Sequence, residues 1–337
     1  MKTVQVTRPG VMNLIDKEIP DIQKDNEVRI RVKIVGICGS DMHIYNGSNP
    51  FAVYPRVIGH EVAGEIDAVG KNVSRFNRGD KVVIEPIHTC GKCYACRIGR
   101  RNVCEKLEVY GVHRDGGLQE YWVLPEYNVH KVNQELSWSE AVLVEPFTIG
   151  AQANWRGVTR SGDVVFIIGA GPTGLCCLKM AKIQGATCIV SDLNDKRLRF
   201  AQKWGADYTV NAKLNVEEQI FRITDGMGAN VVIDAVGISK TFEDAIKVAS
   251  NAGRIVTLGF GQQLSQISQL EITKKELTIA GSRLQTGKFT EVIQLFHERK
   301  IHPGDMISHQ LSLDEYQKAI NLIENNPDNL RKVVLKV

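Results

Sequence analysis

The sequence predicts an α/β chain with two kinds of unit, one rich in short strands and one a doubly wound parallel sheet. Two observations carry this reading. Residues 1 to 35 and the stretch Glu61 to Glu85 alternate apolar and polar side chains (VQVT, EVRIRVKIVG, VAGEIDAVG, KVVIEP), the period of half-buried strands. From Val164 to Ile168 the alternation gives way to a continuous apolar run, which suits a strand covered on both faces by helices. At 337 residues the chain is long enough for two sizeable cores, and 43% hydrophobic with 24% charged residues is ordinary for a soluble enzyme.

Composition also excludes some classes of function. No apolar run reaches the roughly 18 residues that a membrane-spanning helix needs. The first twenty residues lack the apolar core and cleavage site of a secretory signal, so a cytoplasmic protein is expected. The net charge of +4 comes from scattered Lys and Arg without basic blocks, so no nucleic-acid or membrane partner is expected.

The chemistry concentrates in Ile37 to Glu61, ICGSDMHIYNGSNPFAVYPRVIGHE, which holds Cys38, Ser40, His43, His60 and Glu61. Thiolate, imidazole and carboxylate are the ligands of zinc, and a catalytic zinc keeps one position open. Cys38, His60 and either Glu61 or a later carboxylate would fill three positions. One Cys and one His at this separation are weak evidence alone. The glycines at 36, 39 and 59, which bring backbone without Cβ around both ligands, strengthen it.

Four of the eight Cys follow as Cys90, Cys93, Cys96 and Cys104, spaced CxxCxxCx7C. In a reducing compartment such a cluster points to metal rather than to disulfides. Iron–sulfur runs that begin this way continue with a shorter gap and a Pro. Four thiolates close a tetrahedral zinc site with no open position, which is a folding element.

Ser137 with Glu140 reads as a capping box opening a helix whose apolar spacing extends to Pro146. Glu145 lies inside that apolar run, where a carboxylate needs a partner. After Val164 to Ile168 comes Gly169-Ala-Gly171-Pro172-Thr173-Gly174, then a helix, then a strand ending in Asp192. Strand, GxGxxG, helix and a distal acid together form the dinucleotide fingerprint of the Rossmann fold. Asp192 would accept from the adenosine ribose hydroxyls and repel a 2′-phosphate, favouring NAD, although Asn194, Lys196 and Arg197 stand nearby. Cys176 and Cys177 in the helix read as small core residues. Further βα units follow, with Gly237, Leu258 and Gly259 at strand ends, where an open α/β sheet binds its ligand.

GICGSDMHIY and PRVIGHE closely resemble the zinc-dependent medium-chain dehydrogenases, the family of alcohol, sorbitol and threonine dehydrogenases, and the likeness runs the length of the chain. The resemblance implies a GroES-like catalytic domain, residues 1–146 with 284–337, and a Rossmann NAD-binding domain, residues 147–283, with the active site in the cleft between them. It implies two Zn2+ per chain, with NAD as hydride acceptor. At the position of Glu145 the family carries its third protein ligand, so Glu61 and Glu145 both remain candidates for the metal carboxylate. Ser40 and His43 match the family's proton relay. The segments GVHRDGGLQEY and KKELTIAGSR resemble bacterial dehydrogenases of hexonates such as L-galactonate or L-gulonate, oxidised at C5. His113, Arg114 and Arg283 are then candidates to hold the substrate carboxylate. L-Threonine and polyol dehydrogenases are the neighbouring branches. A zinc-free quinone reductase would lack the ligands, and a non-catalytic zinc-binding module would not explain the fingerprint. Expected partners are a small sugar acid or polyol and further copies of the chain, as a homodimer or homotetramer.

Overall fold

The computed structural model describes residues 1–326, Asp328 and 330–337. The chain forms two compact units, Met1–Glu145 with Phe289–Val337, and Pro146–Lys288. The boundaries expected from the sequence lie after 146 and after 283. The segment to Lys288 belongs with the second unit, where the Thr286 amide donates to Gln152 Oε1 at 3.3 Å and Lys288 Nζ stands over the Trp155 ring.

The first unit is built on a seven-stranded sheet. Its central strand, Glu27–Ile37, pairs antiparallel with Glu61–Val69 on one side and with Lys332–Lys336 on the other. Val28, Ile30 and Ile34 on this strand are completely buried. The register sets Gly36 opposite Glu61 and also opposite Val334, so the last strand of the chain arrives beside the ligand-bearing segment. Ile307–Ser312, a strand the sequence pattern did not reveal, pairs parallel with Lys332–Lys336 at the sheet edge.

The capping box forms as read: the Glu140 amide donates to Ser137 Oγ and the Ser137 amide to Glu140 Oε2. The helix it opens covers only Trp138–Ala141, and a second helix, Val144–Arg156, runs through Pro146. This corrects the expected end at Pro146. A proline in the first turn of a helix displaces no intrahelical donor, so it starts this helix instead of ending one.

The second unit carries a six-stranded, wholly parallel sheet. Its strands are Val164–Ile168, Thr187–Asp192, Tyr208–Asn211, Ala229–Asp234, Ala249–Thr257 and Thr278–Gly281. Numbered along the chain, they lie in the order 3-2-1-4-5-6, that of the dinucleotide-binding sheet. Phe166, Ile189, Val210, Val232 and Ile255 pack one core beneath the helices Val216–Ile223 and Ser239–Val248. Among the described residues, no helix is long and apolar enough to cross a membrane.

Candidate metal centres and cofactor cradle

Cys38 ends the central strand of the first unit and N-caps the helix Gly39–Tyr45, while His60 immediately precedes the strand Glu61–Val69. Asp41 ties these two segments together. One of its oxygens accepts from the Cys38 amide at 2.9 Å and the other from the Gly59 amide at 3.1 Å. The second oxygen also stands 3.4 Å from His60 Nδ1. Burial alone would raise the Asp41 pKa, but His60 and the two amides outweigh it and hold the group ionised. An imidazole whose Nδ1 faces a carboxylate is oriented to offer Nε2 to a metal.

One ligand atom each from Cys38, His60 and Glu61 lies within 4.8 Å of the others. Glu61 is almost wholly buried, and its Oε2 has no hydrogen-bond partner among the described residues. Its other oxygen accepts from Lys332 Nζ at 2.6 Å, in a pair whose side chains are 3% and 2% exposed. An orphaned carboxylate oxygen beside a thiol and an imidazole is a donor set that fits zinc. Glu145 is not part of this tight group. It is buried close by, where desolvation raises its pKa to about 7 against the attraction of His60 and with the repulsion of Glu61. Lys332 carries no local sequence signal of this pairing, since it stands in a strand-like C-terminal segment.

Ser40 and His43 lie on the helix Gly39–Tyr45. Ser40 is half-buried and His43 exposed, with His43 Nδ1 3.0 Å from Ser48 Oγ.

Cys90, Cys93, Cys96 and Cys104 converge, their sulfurs all within 4.8 Å of one another. Backbone amides point at them: that of Cys90 donates to Cys104 Sγ, that of Cys93 to Cys90 Sγ and that of Lys106 to Cys104 Sγ. Donation from the Lys92 and Cys93 amides pulls the Cys90 thiol down to about 6, whereas burial and the neighbouring thiols push Cys96 up to about 12. Four thiolates this close repel one another unless a cation sits among them, and zinc fits. No disulfide joins them.

In the second unit, Gly169 ends the first strand at φ +101°, and the helix Pro172–Ile183 starts at Gly171 with no side chain capping it. A Cβ on Gly174 would lie 1.9 Å from the Gly169 carbonyl oxygen, so only glycine lets the helix start this close to the strand. Nothing lies within 4 Å of a Cβ built on Gly171, which leaves space at the helix N-terminus for a phosphate. This cradle fits a dinucleotide. Asp192 Oδ2 accepts from the Ala170 amide and Oδ1 from the Asn194 amide, both at 2.9 Å, so the acid also braces the glycine turn. Arg197 Nη1 is 3.8 Å from Asp192 Oδ2. Gly237 and Gly259 back onto each other beyond the fourth and fifth strands, with Leu258 donating its amide to the Asp234 carbonyl.

The three candidates for a substrate carboxylate differ in what already engages them. His113 Nδ1 accepts from the Val109 amide at 3.1 Å, and its ring stacks on Phe51. Arg114 is bound to Glu108 through Nε and Nη2 at 2.7 and 2.6 Å. The Arg283 guanidinium lies 5.9 Å from the centre of the Phe260 ring.

Residues 24–134 match the family of alcohol dehydrogenase GroES-like domains, and residues 172–298 match the zinc-binding dehydrogenase family. The starvation-sensing protein RspB of Escherichia coli (strain K12) is 41% identical over 337 residues, covering 99% of each chain. The L-galactonate-5-dehydrogenase of the same strain is 38% identical over 296 residues, 87% of this chain and 86% of that protein. A crystal structure of RspB from E. coli CFT073 with the cofactor NADH superposes with a TM-score of 0.95 at 40% identity, covering 100% of this chain and 99% of that one.

Proposed function

The chain belongs to the zinc-dependent medium-chain dehydrogenases, and from that premise we propose that it oxidises a secondary alcohol of a six-carbon sugar acid, such as L-gulonate or L-galactonate at C5. It is an NAD-dependent oxidoreductase, and zinc and NAD are its cofactors. The observation that carries the catalytic reading is the convergence of Cys38, His60 and Glu61 with one carboxylate oxygen unsatisfied.

Zinc bound there supplies Lewis acidity that lowers the pKa of the substrate hydroxyl, and NAD supplies the hydride acceptor. The residues do the rest. Cys38, His60 and Glu61 hold the metal, and Asp41 orients His60. Glu145, with its pKa lifted to about 7 by burial, would hydrogen-bond the substrate hydroxyl. Ser40 takes the hydroxyl proton onward and His43 passes it towards solvent. The four-thiol lobe holds a second zinc that folds its loop. In the other unit, the N-terminus of the helix Pro172–Ile183 receives the pyrophosphate, and Asp192, with Arg197 beside it, meets the adenosine ribose.

The sugar-acid reading draws support from the likeness to the L-galactonate-5-dehydrogenase and from the GVHRDGGLQEY segment. Arg114, paired with Glu108, and Arg283, beside Phe260, are the two arginine candidates for the substrate carboxylate. The test measures kcat/KM with NAD for L-gulonate, L-galactonate, sorbitol and L-threonine, with zinc content determined on the same preparation. A hexonate should lead, with two zinc ions per chain from the two ligand groups. Sorbitol or threonine outperforming both acids would move the enzyme to a neighbouring branch. One zinc or fewer after supplementation would remove the two-site reading.

A further inference from the structure

We propose that Ser48 is a positioning residue for His43, holding the Nδ1 edge of the imidazole throughout a proton cycle so that Nε2 is the edge that exchanges protons. The inference rests on the reading of His43 as the outer member of the proton relay.

The local chain builds this contact. Beyond the helix Gly39–Tyr45, Gly47 at φ +76° turns the backbone round, and the amides of Ser48 and Asn49 both donate to the His43 carbonyl at 2.9 and 3.0 Å. The loop is thereby folded against the residue five positions before it, and Ser48 Oγ comes to 3.0 Å from His43 Nδ1. The carbonyl already accepts from two amides, and Ser48 Oγ is 3.4 Å from it, so the ring nitrogen is the better partner for the hydroxyl.

A hydroxyl suits this position for a chemical reason. A histidine that relays protons through Nε2 alternates between imidazolium and the neutral tautomer that keeps its proton on Nδ1, so Nδ1 is an N–H donor in both states. A carboxylate partner would accept that bond but would also stabilise the charged form. A serine hydroxyl oxygen accepts it in both states and carries no charge, so the ring keeps its orientation as Nε2 gains a proton and loses it to water. His43 is exposed, and among the described residues Ser48 is the hydrogen-bond partner of its ring.

The test uses the full-length, zinc-loaded enzyme with the fastest of the four alcohols named above, at saturating NAD, in the variants Ser48→Ala, Ser48→Thr, His43→Gln and the double variant His43→Gln/Ser48→Ala. Loss of one orienting hydrogen bond should lower kcat roughly three- to tenfold in Ser48→Ala with KM unchanged. Ser48→Thr, which keeps the hydroxyl, should restore kcat. In the His43→Gln background, Ser48→Ala should have no further effect. Nitrogen-15 spectra of the ring should show the Nδ1 resonance of His43 shift in Ser48→Ala and return in Ser48→Thr, whatever the turnover. If His43→Gln slows turnover but Ser48→Ala leaves both kcat and the Nδ1 resonance unchanged, Ser48 has no such role and the relay stands. If His43→Gln does not slow turnover, the relay itself falls and this proposal with it.

Discussion

A side chain on Gly36 would place its Cβ 2.1 Å from Glu61 Oε2, so the carboxylate occupies the volume that any other residue at position 36 would fill. The two residues face each other across antiparallel strands. Glu61 cannot swing aside cheaply, because its other oxygen is held by Lys332 and the Cβ and Cδ of Glu61 lie only 3.1 and 3.2 Å from the same point. Gly36→Ala should therefore displace the carboxylate while leaving the strand pairing intact. Changes that misplace a ligand typically cost roughly 10- to 100-fold in metal affinity. The expected outcome is loss of the zinc held by Cys38, retention of the zinc held by the four thiols, and an unchanged circular dichroism spectrum. Full retention of both metals would show that Glu61 is not a ligand.

Lys332 and Glu61 form an ion pair in which both side chains are nearly inaccessible to water. Removing one member of a buried ion pair costs about 3–5 kcal/mol, because the other charge stays buried and uncompensated. Lys332→Met keeps the aliphatic bulk and removes the charge. Zinc bound by Glu61 would supply a second cation for the same carboxylate, so the loss should be larger for metal-free protein than for the loaded enzyme. Chemical denaturation of both forms measures the difference. Equal destabilisation with and without zinc would mean that Glu61 does not reach the metal.

Asp192 has two duties that a single substitution mixes. Its oxygens brace the glycine turn through the Ala170 and Asn194 amides, and the same carboxylate is the one expected to meet the ribose. Asp192→Ala should therefore weaken NAD binding, narrow the preference over NADP by leaving Arg197 without the opposing charge, and lower stability by about 1–3 kcal/mol for the two lost acceptors. Asp192→Asn retains an acceptor for one amide, so it should recover part of the stability while still relaxing cofactor choice. Kd values for both nucleotides, together with melting curves, separate the two effects. A preference for NAD undiminished in both variants would assign selectivity elsewhere.

Much of this architecture could be read in the sequence, and the failures share a cause. The thiol spacing and the strand–glycine–helix–acid order are local patterns, so Cys90 to Cys104 and Gly169 to Asp192 announce themselves without a fold. Lys332 does not, because its partner lies 271 residues away and a lysine in an alternating strand looks like a solvent-facing position. Ranking Glu61 above Glu145 as the carboxylate nearest Cys38 and His60 likewise needed the register that sets Glu61 opposite Gly36. The strands Tyr208–Asn211 and Ile307–Ser312 are only four and six residues long, lie at sheet edges and are mostly half-exposed, so they show little apolar periodicity.

On the sugar-acid reading, the choice of substrate turns on a cation that can meet a carboxylate remote from the reacting carbon. Arg114 would have to leave Glu108, whose oxygen sits 2.6 Å from its Nη2, although a salt bridge this exposed is worth little and holds the guanidinium only loosely. Arg283 stands against the Phe260 ring, a contact that helps position a guanidinium. Arg283→Leu should therefore reduce kcat/KM for a hexonate by roughly 10- to 100-fold, as expected for a lost charge-assisted contact, and leave a neutral polyol nearly unaffected. Because binding at the remote carboxylate also aligns the reacting carbon, part of that loss should appear in kcat. Arg114→Leu should change the ratio of acid to polyol by less than about threefold, the scale of an exposed pair. Measuring both variants with L-gulonate and sorbitol distinguishes the two arginines. A larger acid-specific loss in Arg114→Leu than in Arg283→Leu would reverse the assignment, and equal losses for acid and polyol in both variants would remove the carboxylate from the account of specificity.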